Sequence, residues 1–264
     1  MLETSPPFVT QLLKARPKVL NILLTHLISK LLNGKKTSSP KLKFNPMKTL
    51  TNQHKVLIAT SIFCVILLLT RIYIAENISY YFLVWNAFLA WVPLLFSAKF
   101  EKYVKLNQTG KSILFFCSWL LFFPNAPYLI TDLIHLKKKA MIPLWFDVLL
   151  LVSFAWNGLL FAFISLKQIH QTLLLKFSVN QSWFIVLSTL FLSGYGIYLG
   201  RFERWNSWNI LSSPFSLFRA IGRTFVEYPF FVKSMSVTFA FGLFMTSIYT
   251  TVYFLQGNEN KIQN

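Results

Sequence analysis

Residues 142–166 read IPLWFDVLLLVSFAWNGLLFAFISL, an apolar run whose one charged side chain is Asp147. About 20 such residues cross a hydrocarbon layer roughly 30 Å thick. Similar runs recur along the chain, and they are too long and too uniformly apolar for the strands of a membrane barrel. We therefore expect an all-α fold, a polytopic transmembrane helical bundle with about six spanning helices and an N-terminal amphipathic helix. The predicted spans are 56–74, 80–98, 113–131, 142–166, 183–200 and 234–255.

The charge of the chain points to a membrane surface. Of the 26 Lys and Arg, set against eight Asp and Glu, ten precede the first predicted span. That excess predicts a cytoplasmic N-terminus by the positive-inside rule, and it favours attraction to anionic lipid. We expect the lipid bilayer as partner and no nucleic acid, with a multi-pass location in the cell (inner or plasma) membrane. The oligomeric state is left open.

The first 46 residues differ from the rest. Residues 8–32 interleave Leu and Ile with Lys and Arg, a pattern typical of a basic amphipathic helix on a membrane surface, and a polar, basic linker follows. The sequence therefore predicts an extension over 1–46 and a transmembrane domain over 47–264. Two interpretations of the extension stay open, because Met47 would also serve as the start of a shorter protein.

A polar cluster closes the third predicted span. Asn125, Tyr128, Asp132 and His135 would lie within an arc of roughly 80° on a regular α-helix. Each ionisable group near the hydrocarbon core costs about 2.5–3.5 kcal/mol on insertion scales. The alternative is an ordinary helix end, but four polar residues on one stripe favour a polar pocket.

Two further helix ends share that face of the membrane. By counting spans, the end of span three, the start of span four and the end of span five all lie on one side. Asp147 opens span four, where the helix dipole favours a carboxylate even without a function. Asn157, in mid-span, is expected to bond a neighbouring helix.

Arg201, Arg204 and Asn206 follow span five. The arginines fit two roles, as interfacial anchors or as partners for Asp132, Asp147 or an anionic ligand. After Pro214, phenylalanines alternate with charged residues at helical spacing, which predicts a surface helix on the membrane.

The candidate site residues follow from these patterns. Metal ligation is disfavoured, since Asp132, His135 and Asp147 carry no further metal signature, and no cofactor is expected. We expect the catalytic candidates to be Asp132, His135 and Asp147, and the ligand-binding residues to be Asn125, Tyr128, Asp132, Arg201, Arg204 and Asn206.

Three motifs in order, FPNAPYLITDLIHL from Phe123, PLWFD from Pro143 and GIYLGRFERWNSW from Gly196, carry a family resemblance. From about Met47 onward the chain resembles a bacterial family of multi-pass membrane proteins, domain of unknown function 1361. The resemblance implies a six-helix integral membrane protein and no particular activity.

Three functions fit these observations. The first is a protein whose pocket at the outer face binds an anionic lipid or lipid-linked ligand. The second is an enzyme acting on a lipid-linked substrate, with Asp132 or Asp147 as general base and His135 sharing the proton transfer. The third is a small-solute or ion transporter, which the absence of an obvious inverted repeat disfavours.

Overall fold

A computed structural model describes residues 46–76, 78–136 and 142–262. These residues form helices and no strand, and six of the helical segments are long and apolar enough to cross a membrane, as the sequence predicts. The amphipathic helix and linker expected before Pro46 lie outside the described residues. The division into an extension and a transmembrane domain therefore stays a prediction.

The helices run beyond the apolar stretches that predicted them, because hydropathy marks the part of a helix inside the hydrocarbon and not its polar ends. The helix that contains the fourth predicted span, for example, continues through Lys167 and His170. The helices are α1 Pro46–Ala75, α2 Phe82–Lys105, α3 Thr109–Phe122, α4 Asn125–Tyr128, a 3₁₀ helix Leu129–His135, α5 Leu144–Leu173, α6 Val179–Arg201, α7 Asn209–Ser212, α8 Pro214–Val226 and α9 Tyr228–Ile262.

The third span is not one regular α-helix. The expectation that its polar residues lie on one face of a continuous α-helix is therefore wrong. Pro124 and Pro127 lack the backbone N–H that an α-helix interior uses, so α3 ends before them and a 3₁₀ helix follows. In a 3₁₀ helix residues three apart eclipse each other. Asp132 and His135 thus share one edge although the helix is not α.

Helix α5 lies at the centre of the bundle. Of its most hydrophobic 18 residues, 56% are buried, the largest share among the six spans. A Cβ on its Gly158 would lie 2.4 Å from the backbone oxygen of Ala126, so this glycine lets α4 approach α5 closely. The close approach packs α4 against the middle of α5.

Asn157 joins α5 to α1, as the sequence predicts. Its Oδ1 accepts a hydrogen bond from Thr60 Oγ1 at 2.8 Å, and its Nδ2 donates to Ser61 Oγ at 3.0 Å. The carboxamide is therefore satisfied within the protein, which removes the cost of burying it in an apolar layer.

Helix α8 is an amphipathic helix held against α6. The Tyr195 and Thr224 hydroxyls lie 2.7 Å apart, and Arg223 Nη2 lies 2.6 Å from Glu203 Oε2. Its opposite side exposes large apolar side chains, a distribution typical of helices that lie in the plane of a membrane interface. The exposed aromatic residues are Phe215, Phe218 and Phe225.

Candidate functional site

The 3₁₀ helix and the end of α6 meet at an ion pair between Asp132 and Arg201. Arg201 Nη2 contacts Asp132 Oδ1, and the carboxylate is almost fully buried. Its second oxygen, Oδ2, accepts a hydrogen bond from Asn86 Nδ2 of α2 at 2.9 Å. Both oxygens of Asp132 are thus engaged by the protein, as a buried carboxylate requires.

Arg201 makes three further contacts. Its Nε donates to Thr131 Oγ1 at 2.9 Å, and its guanidinium carbon lies 4.5 Å from the ring centroid of Tyr128. Its Nη1 lies 3.0 Å from His135 Nε2. Because a guanidinium only donates, a hydrogen bond between the two groups has Nε2 as its acceptor. Arg201 therefore fixes the side chains of the third-span end.

Asp147 has a different partner, so the hypothesis that Arg201 or Arg204 pairs with it is wrong. Its Oδ1 accepts a hydrogen bond from Arg71 Nε at 3.1 Å, and both side chains are buried. The physical reason is the rotation of α5, which turns Asp147 towards α1 rather than towards α6.

Tyr80 links the Arg71–Asp147 pair to the backbone of His135. Its hydroxyl lies 3.4 Å from Asp147 Oδ2 and 3.1 Å from the backbone oxygen of His135, and Arg71 lies 4.5 Å from its ring centroid. Burial raises the pKa of the Tyr80 hydroxyl above its ordinary value, and the nearby Asp147 carboxylate acts in the same direction. The phenol therefore remains a hydrogen-bond donor at neutral pH.

A cavity of about 150 Å³ lies beside the Asp132–Arg201 pair. Asn125 Nδ2 donates to Ser207 Oγ at 3.0 Å in its wall, and Ser207 in turn donates to the backbone oxygen of Leu121 at 3.0 Å. A Cβ on Gly196 would lie 2.6 Å from Pro124, so the glycine lets α6 pack against Pro124, and both residues line the cavity. The polar and aromatic residues in the lining are Asn86, Asn125, Tyr128, Trp205, Asn206 and Ser207.

The structure divides the sequence-predicted site residues into groups. Asn125, Tyr128 and Asn206 line the cavity, whereas Asp132, Arg201 and His135 form the network behind it. Arg204 is exposed next to Trp205 with a φ of 59°, and no hydrogen bond or ion pair joins it to the described part of the chain. The catalytic candidates Asp132, His135 and Asp147 are absent from the cavity lining.

These residues do not form a metal site. Asp132 is bonded to Arg201 and Asn86, and Asp147 is bonded to Arg71. Over residues 46–76, 78–136 and 142–262 no group of three His, Cys, Asp or Glu is placed to hold a metal ion.

Three participants were missed by sequence reasoning: Arg71, Tyr80 and Asn86. Arg71 had a usable signal, since a cation four residues before the end of an apolar helix needs an internal partner, and that end shares the face of Asp147. Asn86, five residues into α2, carried the weaker signal of one amide in an apolar span. Tyr80 had none, because tyrosine is common at membrane interfaces.

The fold and this site define a multi-pass helical membrane protein with buried ion pairs at one end of its bundle. The family model "Protein of unknown function (DUF1361)" matches residues 85–251, and the chain belongs to that family. The match includes Asn86, Asp132 and Arg201 but begins after Arg71 and Tyr80. Neither a curated protein nor a solved structure matches the chain.

Proposed function

We propose that this membrane protein binds the polar headgroup of an anionic lipid or lipid-linked molecule in the cavity beside Tyr128. The observation that carries the proposal is the lining itself. Three carboxamides, Asn86, Asn125 and Asn206, come from three separate segments and converge on one hollow at the end of an apolar bundle. Asn125 uses both hydrogens of its Nδ2 within the protein, so its carbonyl oxygen would accept from a ligand hydroxyl. Asn86 and Asn206 would donate to phosphate oxygens.

The size of the cavity suits a headgroup and not a whole amphiphile. Drug-sized ligands occupy roughly 300–1,000 Å³, well above the 150 Å³ found here. The acyl or prenyl chain would stay in the surrounding hydrocarbon. Trp205 and Leu217, also in the lining, would contact the first carbons of that chain.

The charge for an anion would come from Arg204 rather than Arg201. Arg201 is neutralised by Asp132 and its donors are used by Thr131 and His135. Arg204 is exposed, lies three residues beyond the end of α6 and directly precedes three residues of the cavity lining. Arg201 would thus act as a positioning residue that holds Tyr128.

An enzymatic role has weaker support. A general base must reach the proton it removes. Asp132 lies behind the wall with both oxygens bonded, and Asp147 is buried against Arg71. Transport has weaker support too, because Asp132 and Asp147, the carboxylates that would carry a proton or cation, are each paired with an arginine.

We further propose that the cavity faces outward from the cell membrane, with the N-terminus in the cytoplasm. The support is the concentration of Lys and Arg before the first span. Labelling of Ser212→Cys in a Cys117→Ser background by a membrane-impermeant maleimide on intact cells tests this orientation. Labelling only after the cells are opened would reverse it.

Binding is tested by counting bound phosphatidylglycerol and phosphatidylcholine on the detergent-purified protein by native mass spectrometry. Losing a charge-assisted hydrogen bond of about 1.5–3 kcal/mol weakens binding about tenfold or more. We therefore expect one phosphatidylglycerol site to bind about tenfold more weakly, or weaker still, in the Arg204→Gln, Asn206→Ala double variant. The matched control is Arg219→Gln, an exposed arginine on α8. Equal binding by the double variant and the control would overturn the proposal.

A further inference from the structure

A second cavity lies at the opposite end of the bundle from the candidate site. It is a groove of about 420 Å³ where α2, α3, α5 and α6 come together near the loops that join them. Its walls are almost entirely apolar, and Ile113 on one side is well exposed. The apolar residues that form the walls are Phe100, Val104, Ile113, Phe116, Leu173, Phe177 and Ile185.

Lysines gather at the rim of this groove. Lys102 Nζ and Lys111 Nζ lie 5.9 and 5.4 Å from the ring centroid of Tyr103, a residue of the groove lining. The Tyr103 ring is itself held in a stack with Phe115, at a centroid distance of 5.2 Å. Two ammonium groups are thus directed at one fixed ring, although like charges repel each other.

No carboxylate neutralises these lysines within the described part of the chain. Glu101, the acidic residue on the neighbouring turn, pairs with Lys105 and accepts a hydrogen bond from Gln168 Nε2 at 2.6 Å. Lys176 lies in the groove lining itself, where it donates to Asn107 Oδ1 at 2.7 Å and makes no ion pair with a described residue. The rim therefore carries positive charge that an external anion would neutralise.

We infer that this groove binds one anionic phospholipid from the surrounding bilayer, with an acyl chain in the groove and the phosphate between Lys102 and Lys111. The apolar walls fit a hydrocarbon chain, and the volume lies in the range of ordinary ligand sites. The groove lies where four spanning helices end, which is the depth of the headgroups. A phosphate there meets the lysines, whereas a free phosphate ion would gain nothing from the apolar walls. This site is independent of the function proposed above, because it shares no residue with the other cavity.

The test counts lipids bound to the intact, detergent-purified protein by native mass spectrometry, with phosphatidylglycerol, phosphatidylcholine and glycerol 3-phosphate as probes. We expect Lys102→Gln, Lys111→Gln to weaken one phosphatidylglycerol site about tenfold while phosphatidylcholine binding stays unchanged. Lys99→Gln, on an exposed turn of the same helix and outside the groove, is the matched control and should bind as the wild type does.

A second pair of variants tests the groove without altering charge. Ile113 and Leu114 are exposed to a similar degree on α3, but only Ile113 lines the groove. Ile113→Trp should remove the same phosphatidylglycerol site and Leu114→Trp should retain it. Binding that survives both the lysine and the Ile113 changes would overturn the inference, as would glycerol 3-phosphate binding as tightly as the lipid. Loss of the site in these variants but not in Arg204→Gln, Asn206→Ala separates this groove from the cavity at the other end.

Discussion

Arg71 and Asp147 form an ion pair in the interior of the bundle, with Nε and Oδ1 3.1 Å apart and side chains that are 0% and 2% exposed. They come from α1 and α5, which Asn157 also joins through Thr60 and Ser61. The first helix is therefore fixed to the central helix at two depths.

Removing one partner of this pair leaves the other charge buried and uncompensated. We expect Arg71→Leu to lower the free energy of unfolding by about 3–5 kcal/mol, whereas an Arg71→Leu, Asp147→Leu double variant recovers much of that loss. Reversible denaturant unfolding in micelles, with the two single variants and the double variant as a cycle, measures the coupling. Additive single effects would show that the pair contributes no coupling energy.

Arg201 holds the candidate site together through Thr131, Asp132 and His135. We expect Arg201→Gln to destabilise the fold by about 2–5 kcal/mol, because the buried Asp132 carboxylate loses its counter-ion. Arg201→Lys keeps the charge but not the planar, forked guanidinium. Its loss of stability should therefore be smaller than that of Arg201→Gln. Arg219→Gln serves as the control, and its thermal midpoint in detergent should match the wild type. A wild-type midpoint for Arg201→Gln as well would contradict a structural role.

Gly158 is predicted to tolerate no side chain. A Cβ there would lie 2.4 Å from the Ala126 backbone oxygen, and backbone cannot move aside cheaply. Gly158→Ala should cost about 1–3 kcal/mol. Gly222→Ala on α8 is the control, since nothing lies within 4 Å of its Cβ position, and it should be neutral or stabilising by up to about 1 kcal/mol. Equal thermal midpoints for the two variants would refute the close contact.

His170 and Tyr249 form a buried hydrogen bond, with Nδ1 and the hydroxyl 2.8 Å apart. Tyr249→Phe removes the hydroxyl and leaves the imidazole nitrogen unsatisfied, at a cost of about 1–3 kcal/mol. Tyr253 also stacks on His170, but its hydroxyl bonds to no described residue. Tyr253→Phe should therefore leave the unfolding midpoint unchanged. A larger loss of stability in Tyr253→Phe than in Tyr249→Phe would contradict a stabilising hydrogen bond between His170 and Tyr249.

Helix α8 should lie in the plane of the interface, with Phe218 in lipid and Arg219 towards water. Spin labels attached at Phe218→Cys and Arg219→Cys, each in a Cys117→Ser background, measure this orientation. The measurement compares how often each label collides with oxygen, which concentrates in lipid, and with a nickel complex, which stays in water. The label at 218 should favour oxygen and the label at 219 the nickel complex. Identical collision ratios would contradict an interfacial helix.

The sequence predicts the span count and the shared face because length and hydropathy determine both. It does not determine the rotation of each helix about its axis, and that rotation decides the partner of every buried charge. Asp147 is the example: the sequence pattern allows Arg201 or Arg204 as its partner, but α5 turns Asp147 towards Arg71. The break after Phe122 shows a second limit, because Pro124 and Pro127 signal an irregular helix without saying that a 3₁₀ segment follows.

Glu203 uses both carboxylate oxygens, one to accept from the Tyr198 hydroxyl of α6 at 3.1 Å and one to bind Arg223 of α8. Leu217 of α8 is also part of the cavity lining. Through these contacts the amphipathic helix is coupled to the transmembrane helix that forms the cavity wall. A shift of α8 in a membrane interface would therefore move this wall, so that crowding of the lipid headgroups would change the width of the cavity.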